Sequence, residues 1–122
     1  MGSREPARGG GSQGEGPLDA LVLLYVTCAD ADEARRIGRD VVGARLAACA
    51  NVLAPHTAIY RWEGEVQEDA EVAMILKTRA SLVDAATARI KASHSYSVPC
   101  VVALPVAAGN PEFLDWIAEE TA

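Results

Sequence analysis

The sequence predicts an α+β fold in which helices pack on a single antiparallel sheet of four strands. Three observations support this prediction. The apolar run ALVLLYVTC at 20–28 is typical of a buried strand. Residues 34–44 repeat apolar side chains at helical spacing. Residues 68–78 bring several apolar side chains to one face of an extended chain.

The first half of the folded region is predicted to form a strand, a helix and a second strand. Asp30 is the expected N-cap of the helix, and acidic residues follow in its first turn, where the helix dipole favours negative charge. The helix is expected to run to about Leu46. The second strand spans about 49–61 and is expected to break near Pro55, because proline cannot donate a ladder hydrogen bond.

The second half is predicted to repeat the order strand, helix, strand. A turn at 62–66 leads to a third strand at about 68–78 and a second helix at about 81–93. The fourth strand is expected at 101–106. Asn110, followed by proline, is expected to cap a short terminal helix.

The element order βαββαβ is that of the ferredoxin-like fold, here with an added C-terminal helix. Right-handed crossovers in both halves place the first strand between the fourth and the third. The predicted sheet is therefore antiparallel with strand order 4-1-3-2, and its second hairpin is long.

Composition divides the chain into a tail at 1–17 and one domain at 18–122. The tail contains six of the ten glycines and no aliphatic side chain larger than alanine, so we expect it to be disordered. No stretch is apolar enough for a secretory signal or a membrane span, which predicts a cytoplasmic protein without a membrane partner. Three cysteines without CxxC spacing favour a reducing compartment.

The formal charge of -6 argues against polyphosphate partners, so we expect no binding to nucleic acid. Other activities of similar folds lack their required residues. A copper chaperone needs a CxxC after the first strand, where TCADADE supplies one thiol. An acyl phosphate hydrolase needs a basic anion loop at the same place, where this chain has carboxylates.

The long hairpin predicts contact with another chain. A third strand of eleven residues reaches roughly 36 Å, whereas a helix of thirteen to sixteen residues covers only about 20 to 24 Å. The overhanging part leaves backbone groups and apolar side chains exposed, which association removes. An alternative is that the tryptophan of the hairpin covers the chain's own core. The residues expected at the subunit interface are Tyr60, Trp62, Val72, Met74 and Trp116.

Four segments resemble the CutA family, the divalent-cation tolerance proteins: ARLAACANV (44–52), IYRWEGEVQEDAEVAMILKT (59–78), HSYSVPCVVALPV (94–106) and GNPEFLDWI (109–117). The resemblance implies a ferredoxin-like fold in a homotrimer similar to the PII signal proteins. It also implies binding of copper or other divalent metal ions, with no enzymatic activity. A Cys nucleophile paired with His94 would lack a third, orienting group, which agrees with a role other than catalysis.

The resemblance places the family's copper ligands at Val26, Ser93 and His94. Of these three residues, only His94 has a side chain that commonly binds copper. The predicted topology brings Cys28 and Cys100 to the same end of the sheet as His94. These three residues form a possible Cys-His-Cys site for Cu(I) or Zn(II). The alternative is that both cysteines are small core residues and His94 is a cation at a helix C-terminus.

A second candidate site is a cleft between subunits, as in PII-like trimers. Trp62, Glu63, Lys77 and Tyr96 are its expected residues, and the charge of Lys77 suits a carboxylate or a phosphate. This reading makes the protein a signalling or scaffold trimer that binds a small molecule or a protein partner. If calorimetry detects no binding of metal ions, the signalling or scaffold hypothesis is favoured over the metal-binding hypothesis.

Overall fold

A computed structural model describes residues 20–121. It confirms the ferredoxin-like α+β fold, since the sheet order β2-β3-β1-β4 is the predicted order read from the opposite edge. The expected tail at 1–17 lies outside the described residues. The elements are β1 (Leu21–Cys28), α1 (Ala31–Gly43), β2 (Cys49–Trp62), β3 (Glu65–Arg79), α2 (Val83–Ser93), β4 (Val101–Pro105) and α3 (Pro111–Glu120).

Helix α1 begins as predicted and ends earlier than predicted. The side chain of Asp30 accepts a hydrogen bond of 2.8 Å from the Glu33 N–H, as an N-cap does. The helix stops at Gly43 and not at Leu46 because Arg45 adopts a left-handed φ of 63°. The Leu46 N–H then turns back to the Val41 carbonyl at 3.1 Å, which closes the helix in a Schellman motif.

The main core lies between one face of the sheet and helices α1 and α2. Alternation along each strand sends every second side chain to this face. The expectation that Val72 and Met74 contact another subunit is corrected here, because they are 2% and 0% exposed within their own chain. The largest core side chains include Leu24, Val26, Ile37, Val41, Met74, Leu76 and Ile90.

The second hairpin projects as a two-stranded arm, which we define as residues 55–72. Strands β2 and β3 pair from Pro55↔Val72 to Trp62↔Glu65, and a bulge just before Pro55 interrupts the register as the proline predicted. Glu63 and Gly64 form the turn with φ values of 52° and 84°, the type I′ pattern of tight hairpins. Every residue from 59 to 70 is exposed.

Strand β3 starts three residues earlier than predicted, at Glu65, because pairing with β2 continues up to the turn. Helix α2 starts two residues later than predicted, at Val83, since a 3₁₀ turn occupies Ala80–Leu82.

Helix α3 covers one end of the other sheet face, which we call the open face. Asn110 caps this helix by accepting a hydrogen bond of 3.1 Å from the Glu112 N–H. Ile117 is buried against the sheet, while Trp116 is half-buried and stacks on Phe113 at 5.4 Å between ring centroids. Beyond α3 the open face keeps exposed apolar side chains on β4. Within residues 20–121 no helix has both the length and the apolar character that a membrane crossing requires.

Candidate metal site and adjoining cleft

Three side chains with metal-binding atoms meet at one end of the sheet. Cys28 is the last residue of β1, Glu33 lies in the first turn of α1, and His94 is the C-cap of α2. Their Sγ, carboxylate and imidazole donor atoms all lie within 4.8 Å of one another. We call these three residues the donor cluster.

Glu33 is held as a carboxylate by hydrogen bonds from two loops. Its Oε1 accepts from the Ala29 N–H at 2.9 Å and from Ser95 Oγ at 3.0 Å, and its Oε2 accepts from the Ser95 N–H at 2.7 Å. Burial raises the pKa of Glu33, but these hydrogen bonds outweigh burial and leave the pKa below its ordinary value. The cluster therefore contains a fixed negative charge, with Arg36 at 3.6 Å from Oε2.

His94 has both ring nitrogens engaged and its side chain is fully buried. Its Nδ1 accepts a hydrogen bond of 3.0 Å from the Tyr96 N–H, and its Nε2 lies 2.9 Å from the Thr27 carbonyl oxygen. Because Nδ1 is an acceptor here, the proton belongs on Nε2, which donates to Thr27. An ion that binds His94 must therefore replace one of these two hydrogen bonds.

The Cys28 thiol is 0% exposed. Burial, followed by the nearby Glu33 charge, raises the pKa of this thiol to about 11. It is therefore protonated at neutral pH. An ion coordinated by this sulfur must displace the proton, because the thiolate is the ligand form.

The donor set of one sulfur, one nitrogen and one carboxylate oxygen fits Zn(II) and copper, which accept all three ligand types. Donor atoms on one such ion lie roughly 3.5 Å apart, given bond lengths of about 2.0–2.3 Å. The observed span of up to 4.8 Å requires the side chains to close by about an ångström. Three protein ligands leave a position open for water or another ligand.

The predicted Cys-His-Cys site is thus only partly assembled. Cys28 and His94 come together, whereas Cys100 lies outside the donor cluster and lines a neighbouring cleft. Of the positions placed by resemblance, Val26 is a core side chain, and the buried Ser93 Oγ has no hydrogen-bond partner within residues 20–121. Cys28, two residues beyond Val26 on the same strand face, supplies the thiol.

Glu33 was not predicted as a ligand. The signal for it was present, since Asp30-x-x-Glu33 is a capping pattern whose second carboxylate turns back over the helix start. The backbone N–H that it reaches belongs to Ala29, directly after Cys28. Chain geometry alone thus places a carboxylate beside the end of β1.

A cleft of about 770 Å³ adjoins the donor cluster, between the arm and the loop that follows α2. Tyr96 donates its hydroxyl to Glu71 Oε2 at 2.9 Å, and the Tyr60 hydroxyl donates to Asp69. Burial and the Glu71 carboxylate raise the pKa of Tyr96 above its ordinary range. The lining residues are Thr27, Ala29, Ala58, Tyr60, Trp62, Asp69, Ala70, Glu71, Tyr96, Ser97, Val98 and Cys100.

Two of the four residues predicted for a ligand cleft line this one, Trp62 and Tyr96, while Glu63 and Lys77 do not. Lys77 Nζ instead donates to Asn51 Oδ1 at 2.6 Å and lies 5.6 Å from the ring centroid of Phe113. Among the lining residues within 20–121, the cleft therefore carries acidic side chains and no lysine. Lys77 therefore lies outside this single-chain cleft, and the cleft expected between subunits stays a prediction.

Comparison with known proteins gives consistent matches. The profile of the CutA1 divalent ion tolerance proteins matches residues 22–120. The chain is 42% identical over 100 residues to Protein CutA 1, chloroplastic, of Oryza sativa subsp. japonica, covering 82% of this chain and 56% of the rice protein. It is 44% identical over 99 residues to Divalent-cation tolerance protein CutA of Thermus thermophilus, covering 81% and 96%.

The solved structures match as well. The crystal structure of CutA1 from Oryza sativa superposes with a TM-score of 0.83 at 40% identity, covering 87% of this chain and 97% of that one. The chain spans little more than half the length of the full rice protein and nearly all of the bacterial one. The agreement of sequence, sheet order and coverage shows that this chain belongs to the CutA1 divalent ion tolerance protein family.

Proposed function

We propose that this protein binds a divalent metal ion, copper or zinc, at the donor cluster of Cys28, Glu33 and His94. The observation that supports it most directly is the convergence of three different donor atoms within 4.8 Å. The name of the Thermus relative, a divalent-cation tolerance protein, supports the same proposal. We propose a binding role, and the Cys28 thiol, whose pKa burial raises to about 11, is a poor nucleophile at neutral pH.

A competition titration with Zn(II), Cu(II) and Cu(I) tests this proposal. Cys28→Ser and His94→Gln are expected to weaken binding at least tenfold, because each removes one of three ligands. Cys49→Ser is the matched control. Its strand partner Lys77 lies five residues along β3 from Val72, the partner of Cys28, so the two residues are separated by roughly 17 Å along the strand direction.

Cys100→Ser separates the observed cluster from the Cys-His-Cys arrangement expected from sequence. A loss of affinity with Cys100→Ser equal to that with Cys28→Ser favours two-thiol binding after a movement of the loop. Equal affinity of the parent and His94→Gln for every ion tested would overturn the proposal.

We also propose that the chain functions as a homotrimer. Support comes from the exposed arm, where Tyr60 is 39% and Trp62 is 50% exposed, and from the open face, where Val102 and Leu104 are 51% and 47% exposed. Apolar side chains in such numbers on one domain favour burial against further copies of the chain. Light scattering on the purified protein tests this, and a single-chain mass at micromolar concentration would contradict it.

A second candidate function is that of a PII-like signalling or scaffold protein whose clefts take a small molecule or a protein partner. The cleft of about 770 Å³ favours this candidate, because its size is that of small-molecule sites. Calorimetry separates the two functions. If calorimetry detects no binding of any of the three ions, the signalling or scaffold function is favoured.

A further inference from the structure

The two ring nitrogens of His94 are not equivalent as ligands for an ion. Nδ1 accepts the Tyr96 N–H at 3.0 Å, so it holds a lone pair, while Nε2 carries the proton and donates to the Thr27 carbonyl at 2.9 Å. A histidine that binds a metal through one nitrogen usually donates the N–H of its other nitrogen to a carbonyl or a carboxylate. The bond from Nε2 to Thr27 already has this form, which leaves Nδ1 for the ion.

Nδ1 also lies next to the Glu33 carboxylate, at 3.9 Å from Oε2. Both atoms are hydrogen-bond acceptors, since the carboxylate accepts from Ala29 and Ser95 and the ring nitrogen accepts from Tyr96. Two acceptors at this distance repel each other, whereas a cation between them attracts both. Donor atoms on one zinc or copper ion lie roughly 3.5 Å apart, so this pair needs to close by only about 0.4 Å.

The Tyr96 N–H competes with the ion for the same lone pair. An imidazole nitrogen has one lone pair, so Nδ1 cannot bind an ion and accept a hydrogen bond at once. A backbone N–H moves only with its residue, and the side chain of this residue donates to Glu71 Oε2 at 2.9 Å. A shift of about 1 Å takes that second bond beyond hydrogen-bonding distance.

We propose that an ion at the donor cluster displaces the Tyr96 N–H from His94 Nδ1 and thereby releases Tyr96 from Glu71 at the base of the arm. This inference rests on the proposed metal-binding function and gives the site a regulatory consequence. The loop after α2 is held by Tyr96 in the metal-free protein and is released at Tyr96 in the loaded one. Occupancy of the buried cluster then changes the surface at the base of the arm.

Amide hydrogen exchange of the full chain, followed by NMR with and without saturating zinc, tests the proposal. The Tyr96 amide should exchange at least tenfold faster in the zinc-loaded protein, because it has lost its acceptor. The Ala29 amide, which donates to Glu33 Oε1, is the internal reference and should not exchange faster. An ion that only stabilises the folded state slows exchange or leaves it unchanged, so faster exchange at Tyr96 is specific to displacement.

Tyr96→Phe supplies a second test, with a sign opposite to that of structural damage. The variant keeps the backbone N–H and removes the hydroxyl that holds the residue on Glu71. Displacement then breaks one bond fewer, so zinc should bind roughly three- to tenfold more tightly than in the parent. Tyr60→Phe is the matched control. It removes a hydroxyl bonded to Asp69, outside the loop, and should change the zinc affinity less than about twofold.

Two results would overturn the inference while leaving the metal proposal intact. One is zinc binding with a Tyr96 amide that keeps or gains protection. The other is a zinc affinity that Tyr96→Phe lowers or leaves unchanged. Absence of binding with Zn(II), Cu(II) and Cu(I) in the same preparation would instead reject the metal proposal and this inference together.

Discussion

Tyr96 and Glu71 are joined by a hydrogen bond of 2.9 Å that ties the loop after α2 to the base of the arm. The backbone N–H of the same tyrosine donates to His94 Nδ1, and its ring lies 4.8 Å from the His94 ring centroid. Tyr96 therefore contacts the donor cluster through its backbone and the cleft through its side chain.

Removing the Tyr96 hydroxyl tests how much this link stabilises the fold. Tyr96→Phe should lower the free energy of unfolding by about 1–2 kcal/mol, because a partly buried hydrogen bond to a charged acceptor is lost. Urea denaturation measures this value. Tyr60→Phe is the control, since its bond to Asp69 is exposed and should contribute less than that of Tyr96. Equal effects of the two variants would show that the link is not structural.

Glu33 should matter to stability even without an ion. Glu33→Gln replaces one acceptor oxygen with an amide that faces N–H or O–H donors, and should cost about 2–3 kcal/mol at neutral pH. Asp32→Asn, its 91% exposed neighbour, is the matched control and should cost less than about 0.5 kcal/mol. Denaturation of the metal-free proteins compares them, and an effect no larger than that of Asp32→Asn contradicts the role of Glu33.

The lowered pKa of Glu33 also predicts that the free energy of unfolding decreases at acid pH. A carboxyl whose pKa falls on folding stabilises the protein above its unfolded value of 4.5, and this contribution disappears as the pH drops through the folded value. The parent should therefore lose more stability than Glu33→Gln between neutral pH and acid. Parallel curves for the two proteins would argue against the ionised, hydrogen-bonded carboxylate.

The raised pKa of Cys28 predicts that the protein becomes less stable at alkaline pH. Its pKa rises from 9.0 to about 11 on folding, so the folded state keeps a proton that the unfolded state releases. The free energy of unfolding should fall by about 1 kcal/mol between pH 8 and pH 10 from this thiol alone. Tyr60 and Tyr96, whose pKa values are also raised, change stability in the same direction.

Cys28→Ala separates the thiol from the tyrosines, because it keeps both phenols and removes only the buried sulfur. The variant is less stable at every pH through the lost packing, so the comparison is between slopes and not between absolute values. A shallower alkaline slope in Cys28→Ala than in the parent is expected. Identical slopes in chelator-treated samples would contradict a raised pKa.

Two glycines give opposite predictions on the same kind of substitution. Gly64 has a φ of 84° at the tip of the arm, so Gly64→Ala should destabilise the protein by about 1 kcal/mol. Gly43 ends α1 with nothing within 4 Å of an added Cβ, so Gly43→Ala should be neutral or stabilising by up to about 1 kcal/mol. Thermal unfolding of both variants measures these effects. If Gly64→Ala leaves the stability unchanged, the assignment of a type I′ turn at Glu63 and Gly64 is wrong.

Local signals in the sequence predicted most of the fold. Asp30 and Asn110 mark the starts of α1 and α3 by their capping side chains, and Pro55 marks the bulge in β2. The errors lie where long-range pairing or backbone geometry overrides composition. Glu65 begins a strand because β2 pairs with it, and Arg45 ends a helix by adopting a conformation that usually favours glycine.

The candidate sites were harder to predict than the fold. Strand order placed Cys28 near His94, but no periodicity shows that Cys100 points into a separate cleft. The acidic character of this cleft includes Glu71, whose carboxylate accepts the hydroxyl of Tyr96 across the cleft. Nothing in the spacing of these two residues indicates their contact.

The central claim is that Cys28, Glu33 and His94 hold a metal ion in an assembly of three chains. Native mass spectrometry of the protein loaded with zinc or copper and then desalted tests both parts in one spectrum. We expect the mass of three chains with one ion per chain, and the same assembly without ions for Cys28→Ser. A parent spectrum that shows single chains, or an assembly with no ion under loading that saturates a control metalloprotein, would contradict the account.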